Sequence, residues 1–285
     1  MSARPQKRPR GIAPLVAALV LALALMPADA RAWGNNAQRV IVNHAVDTLP
    51  YELRPFFDNN RNFLVQHVND PLNNLDKHPH ERQSHFIELD KYGKFPFEAL
   101  PRSYRAALSK YSKSKIESTG VLPWQVGVYS QKLTEDLRAG KWDEAKLDAA
   151  YLANYVAETH DPFNTTENYD GKMTGQSGVN DRFNTVLIDR YGSFFPLYPH
   201  DASFISDPTD FAFDSCLNAH SLVESLLLAD RSAKKGLTSY TDEYYDRFYN
   251  LTAAALIKQL SDASTDVGSY WLTAWTNAGK PQLPH

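Results

Sequence analysis

The sequence predicts an all-α protein, a single multi-helix domain running from Trp33 to the C-terminus, and three observations predict it. Apolar residues recur at helical spacing: near the C-terminus Tyr245, Phe248, Tyr249, Leu256 and Leu260 share one face. Strand-like alternation of Val, Ile and Thr is scarce. Helix stop signals fall where the periodic runs end, as Gly140 does after Ala139. With 43% hydrophobic and 22% charged residues over 285 positions, the chain has the composition of a globular protein and enough length for a substantial core.

The first 32 residues read as a signal peptide. Arg4, Lys7, Arg8 and Arg10 make a basic start, an apolar run spans Leu15 to Met26, and Ala30-Arg31-Ala32 is a small-x-small cleavage site. The apolar run is shorter than the roughly 20 residues a bilayer requires. Cleavage would leave Trp33 first and no transmembrane segment, in a secreted or periplasmic protein. The lost segment carries five basic residues (Arg4, Lys7, Arg8, Arg10, Arg31) and one acid (Asp29), so the net charge moves from −3 to −7. An acidic protein does not grip nucleic acid by bulk electrostatics. A lone cysteine, Cys216, excludes an internal disulfide and any multi-cysteine metal site.

The expected elements follow in order. Asn36 caps a helix to about Val46, and a second covers Tyr51–Val68. The stretch Asp70–Ser84, rich in Asn, Asp, Pro and His, reads as a loop. Helices are expected over Phe97–Ser112, Trp124–Ala139 and Asp143–Thr159. A polar loop, Asp161–Gly178, precedes a helix over Val179–Tyr191. Two long helices, near Phe211–Lys234 and Asp242–Asp262, complete the set. There is no internal repeat.

Several polar residues stand where the helical pattern asks for apolar ones. Leu147, Tyr151, Asn154 and Glu158 form one stripe, so Asn154 and Glu158 face the same way. Asn180 and Asn184 repeat the four-residue spacing. Asn164 lies in the loop between these helices, His44 inside the first helix, Asp70 at a loop start, and His85 opens "HFIELD". Singly, each has an ordinary reading as a hydrogen-bonded core residue or a turn former.

Together these motifs resemble the zinc-dependent phospholipase C and single-strand nuclease family. The resemblance rests on a Trp at the mature N-terminus, a His in the first helix, "NDP", "HFIELD", "YVAETHDPFNTTENYDG" and "GVNDRFN", in that order, with "LLLADRS" as a weaker echo. It runs from Trp33 to about Arg231. It implies an all-α fold and three clustered zinc ions that hydrolyse phosphate esters. Position by position it implies that Trp33, His44, Asp70, His85 and Glu158 are metal ligands, with Asp70 and Glu158 in catalytic roles, Glu158 as the bridging carboxylate. At the remaining ligand positions this chain carries Asn154, Asn164, Asn180 and Asn184. All the protein ligands of one zinc site are thereby changed.

A carboxamide is a neutral, weak ligand for zinc, which takes imidazole, thiolate and carboxylate. Hard ions accept amide oxygens but want carboxylates beside them. One zinc is the expected count, two the alternative, and three are not expected. Two functions therefore compete. One is a phosphodiesterase or phospholipase with a reduced metal set. The other is a non-catalytic protein, stapled by one zinc, that binds a phosphate-ester small molecule, a phospholipid head group, a nucleotide or a partner. Other polar groups read as ordinary. His220 and Glu224 make a helical H-x-x-x-E pair outside the family order. His67, His78 and His80 crowd a solvated loop. His160 sits at a helix C-terminus. Asn164-Thr165-Thr166 and Asn250-Leu251-Thr252 match the glycosylation pattern.

Overall fold

The structure, a computed structural model, describes residues 33–75, 77–78 and 81–284. The expected signal peptide, its cleavage site and His80 lie outside the described residues. No strand occurs among those described, and the chain is all-α as its periodicity requires.

Helix α1 (Asn35–Asp47) buries Ala37, Gln38, Ile41, Val42, Ala45 and Val46. The expected second helix is broken at Asn60 into α2 (Arg54–Asn59), opened by Pro55 near its start, and α3 (Arg61–His67). The Asn-rich loop contains one short turn of helix, α4 (Asp70–Asn73), and a 3-10 turn over Arg82–His85. The run expected over Phe97–Ser112 shrinks to α5 (Tyr104–Lys110). Pro101 lacks the N–H a continuing helix needs, and Phe97 has φ 59, outside helical geometry. Ser112 accepts a hydrogen bond from the Lys115 amide and starts a helix the pattern did not show, α6 (Lys113–Ser118).

Next come α7 (Leu122–Ala139), stopped by Gly140 at φ 69, and α8 (Trp142–Thr159). Every residue from Leu152 to Thr159 is buried, so the second half of α8 is a core helix enclosed on all sides. It packs against α1, α3 and α7. Helix α9 is composite: Val179–Asp181, a π-helical turn over Arg182–Val186, and Leu187–Tyr191. The expected helix Phe211–Lys234 breaks at Ser221–Leu222 into α10 (Pro208–His220) and α11 (Val223–Lys234). The last helix, α12 (Asp242–Asn277), runs 36 residues, well past the expected end at Asp262.

The extra length of α12 has a visible use. Ser261, Thr265, Ser269 and Thr273, four residues apart, accept hydrogen bonds from the amides of Tyr198, His200, Ser203 and Ile205 at 2.8–3.1 Å. The extended segment before α10 is thus fastened along one helix face through side-chain oxygens. Gly268 allows α12 to approach α1, since a Cβ there would lie 2.0 Å from Thr48 Oγ1. No helix among the described residues is long and apolar enough to cross a membrane.

Candidate functional site

Five elements carry the polar residues of the site: the start of α1, the turn Arg82–His85, the second half of α8, the turn Pro162–Thr165 and the first half of α9. Gly34 anchors the junction. Its amide donates to the Asn184 carbonyl at 3.1 Å, and a Cβ on Gly34 would come within 2.9 Å of Thr185 Oγ1. Trp33 is buried, donates from Nε1 to the Ala157 carbonyl at 2.8 Å, and packs 6.2 Å from the Phe183 ring. The π-turn lies where Asn184 must face inward, in keeping with the frequency of such bulges at functional sites.

Asn184 Nδ2 donates to Asn180 Oδ1 at 2.9 Å and to Asp161 Oδ2 at 2.7 Å. Asp161 Oδ1 accepts from the Phe163 amide at 2.9 Å, which caps the turn carrying Asn164. The Asn164 carbonyl accepts from the Ile87 amide at 2.8 Å, tying that turn to the segment after His85. His85 Nδ1 lies 2.8 Å from Glu158 Oε2, and its Nε2 lies 3.4 Å from Glu81 Oε1. The second distance is too long for a well-formed hydrogen bond. Tyr155 donates to Glu81. Burial alone would lower the His85 pKa, but the attraction of Glu158 and Glu81 overcomes it and pushes the ring up to about 9. Burial pushes Asp161 up to about 7 despite its donors, and raises Glu158 as well.

The sequence-derived ligands are placed unevenly. His85 and Glu158 meet. Asp70 is paired instead with His67 Nδ1 at 2.7 Å, partly exposed. His44 occupies the last turn of α1, half-buried, where its charge acts on Asp47. Asn154, Asn164, Asn180 and Asn184 are all buried. No group of three or more His, Cys, Asp or Glu that could hold a metal ion occurs among the described residues. The carboxamides of Asn154, Asn164, Asn180 and Asn184 offer zinc neither imidazole nor carboxylate.

Three residues of the site escaped the sequence reading. Gln38 is fully buried and lies four residues, about one helical turn, beyond Gly34. His44, six residues further on, points about 120° away from that stripe. Gln38 interrupts an otherwise apolar run of buried positions, the same signal that marked Asn154. Asn69 is also buried, and donates weakly to the Asn35 carbonyl at 3.4 Å. Asp161 was read as part of a polar loop.

The remaining groups sort plainly. His220 Nδ1 lies 3.0 Å from the Thr165 carbonyl, and its ring meets Phe97 edge to face. The helix break at Ser221 separates it from Glu224, which is exposed on α11. His160 Nε2 contacts Asp266 Oδ2 at 2.9 Å. The burial of Asn164 leaves no room for a glycan in the folded chain. Beside Glu81 opens a cleft of about 1190 Å³, lined among others by Lys77, Arg102, Tyr104, Trp124 and Gln125. Glu81 thus connects an open surface to the enclosed His85–Glu158 pair.

Ten side-chain atoms of this centre have no hydrogen-bond partner in the protein. They belong to Gln38, Asn69, His85, Asn154, Glu158, Asn164, Asn180 and Asn184. Elsewhere among the described residues only Asp148 and Gln259 contribute such atoms. An unpaired buried polar group costs ~1–3 kcal/mol, so a dry centre would cost on the order of 10–30 kcal/mol. A whole domain is stable by only ~5–15 kcal/mol. The centre is therefore built to be satisfied by something other than protein.

No protein-family model matches the chain, and no curated protein sequence matches it. Solved structures do resemble it. The alpha toxin from Clostridium absonum is 13% identical, with a TM-score of 0.49 over 88% of this chain and 64% of the toxin. The Clostridium perfringens alpha-toxin from avian strain SWCP is 16% identical, with a TM-score of 0.45 over 86% of this chain and 64% of the toxin. The chain thus spans about 64% of the length of the toxins it matches. A likeness at this level extends to neither activity nor ligand.

Proposed function

We propose that this chain is an exported protein on the scaffold of the zinc-dependent phospholipase C and single-strand nuclease family, with phosphodiesterase activity weak or absent. The observation that carries the reading is the burial of carboxamides at Asn154, Asn164, Asn180 and Asn184, on the helix faces where that family's ligands would stand. Amides supply neither the charge nor the basicity that zinc needs. Without metal charge on the developing phosphorane, the largest stabilisation available to phosphodiester hydrolysis is missing. His85 Nδ1 and Glu158 Oε2 are taken up with one another at 2.8 Å, while His85 Nε2 and Glu158 Oε1 have no protein partner. What survives is a scaffold with an open cleft beside Glu81 and a polar centre behind it. That suits binding of a phosphate-ester small molecule, head group or nucleotide better than turnover.

Restoring the ligands tests the reading. Asn154→His, Asn164→His, Asn180→His and Asn184→Glu, combined, place imidazoles and a carboxylate on faces already aimed inward. Elemental analysis and a chromogenic phosphodiester are expected to report rises in zinc content and hydrolysis together. A correctly folded quadruple variant that gains neither refutes the reading. So does native protein that turns over efficiently and stops on chelation.

A further inference from the structure

The unpaired atoms define the chemistry of what satisfies them. Four are amide nitrogens, on Gln38, Asn154, Asn164 and Asn180. Five are oxygens, on Gln38, Asn69, Asn154, Glu158 and Asn184. The tenth, His85 Nε2, donates or accepts according to its protonation. Exchanging O and N in any one amide leaves the set mixed. A cation would satisfy the oxygens and face four N–H2 groups with the wrong polarity. An anion would satisfy those groups and face the Glu158 carboxylate and four amide oxygens. Neither ion matches a set so evenly divided.

A neutral molecule that both donates and accepts does match it, and the atoms are shielded from bulk solvent, which restricts its size. We infer that the buried polar centre carried by the start of α1, the second half of α8 and the first half of α9 is a hydration site. A cluster of long-lived water molecules stands there, where the family resemblance would place metal ions. The inference rests on the reading of the chain as a metal-poor member of that scaffold. A buried water makes about three hydrogen bonds, so ten atoms correspond to a cluster of about three. The cluster is held at fixed points: Asn184 by Asp161 and Asn180, Glu158 by His85, and Asn69 by the Asn35 carbonyl.

Magnetic relaxation dispersion of the water nuclei (²H and ¹⁷O) counts internal waters with long residence times. The native chain and the double variant Asn154→Leu, Asn180→Leu are compared under chelator. The expected result is a dispersion in the native chain whose amplitude falls in the variant by roughly one water, since three of the ten unpaired atoms are removed. Equal amplitudes in the two folded proteins overturn the inference. Should the variant fail to fold, the native chain alone decides. Its dispersion is expected to stay unchanged when stoichiometric zinc is added. A loss of amplitude matched by zinc uptake overturns the inference. Absence of long-lived water in a protein without phosphodiesterase activity refutes the hydration alone. Chelator-sensitive turnover refutes the reading beneath it.

Discussion

Helix α9 carries two buried polar clusters barely a turn apart, and they are built in opposite ways. On one side, Arg182 Nε and Nη2 donate to Asp230 Oδ1 at 3.1 and 2.9 Å, and Tyr244 donates to the same oxygen. Gln176 Nε2 donates to Asp230 Oδ2 at 2.6 Å, and Arg182 also reaches the Ser177 and Gln176 carbonyls. Each ionised group there has several partners inside the protein. On the other side, Asn180 and Asn184 flank the same arginine in sequence, yet their cluster leaves ten atoms without a protein partner. The first cluster is complete and holds the fold. The second is incomplete as protein, which is the mark of a place where the chain meets something else.

The sharpest way to break the contrast is to remove one member of the complete cluster. Asp230→Leu or Arg182→Leu strands a buried charge, and urea unfolding at neutral pH is expected to show a loss of about 3–5 kcal/mol. A loss below about 1 kcal/mol would mean that the ion pair does not hold the fold as described.

A smaller effect is expected from pH. Asp161 has a folded pKa raised to about 7 from 3.8, so protonation favours the folded state. Stability is expected to fall as pH rises from about 4 to 7. His85, raised to about 9 from 6.5, contributes stability that is complete below pH 6.5 and lost as pH climbs through 9. Each change is on the order of a few kcal/mol. Denaturant midpoints should decline from pH 5 to pH 9, and Asp161→Asn should flatten the lower part of that decline. A native midpoint that rises over this range contradicts the assignment.

Smaller again is the expected cost of replacing one amide by a similar apolar residue. Asn154→Leu removes two atoms that no protein group satisfies, and a change within about 1.5 kcal/mol is expected by urea unfolding. A cost matching that of Asp230→Leu would erase the distinction between the clusters. The control is the exposed pair Lys258–Asp262, where Lys258→Ala should move stability by less than about 0.5 kcal/mol.

How much of this was legible in the sequence follows from the same contrast. The core helices announced themselves by spacing and stops, and Trp142–Thr159 departs by one residue from the expected start at Asp143. The end of α12 was hidden because Ser261, Thr265, Ser269 and Thr273 look like loop residues. Only tertiary structure shows that their hydroxyls receive the amides of a segment about sixty residues away. The break at Ser221 was hidden too, since both flanking segments keep helical periodicity. At the candidate site, Asn154, Asn164, Asn180 and Asn184 were read from polar residues at apolar positions and from motif order. Gln38 carries that first signal equally well, as a polar residue among the buried apolar positions of α1. The pairing of Asp70 with His67 was invisible, because a three-residue spacing in a polar loop specifies no partner.

Metal stoichiometry tests the central claim most directly. Protein purified without chelator, measured by elemental analysis, is expected to carry no more than one zinc per chain. His85 and Glu158 are the expected ligand positions that meet, while the amide positions around them offer zinc no adequate partner. Two or three tightly held zinc ions per chain would contradict the account, because they would show that the carboxamides, or residues rearranged around them, rebuild the metal cluster.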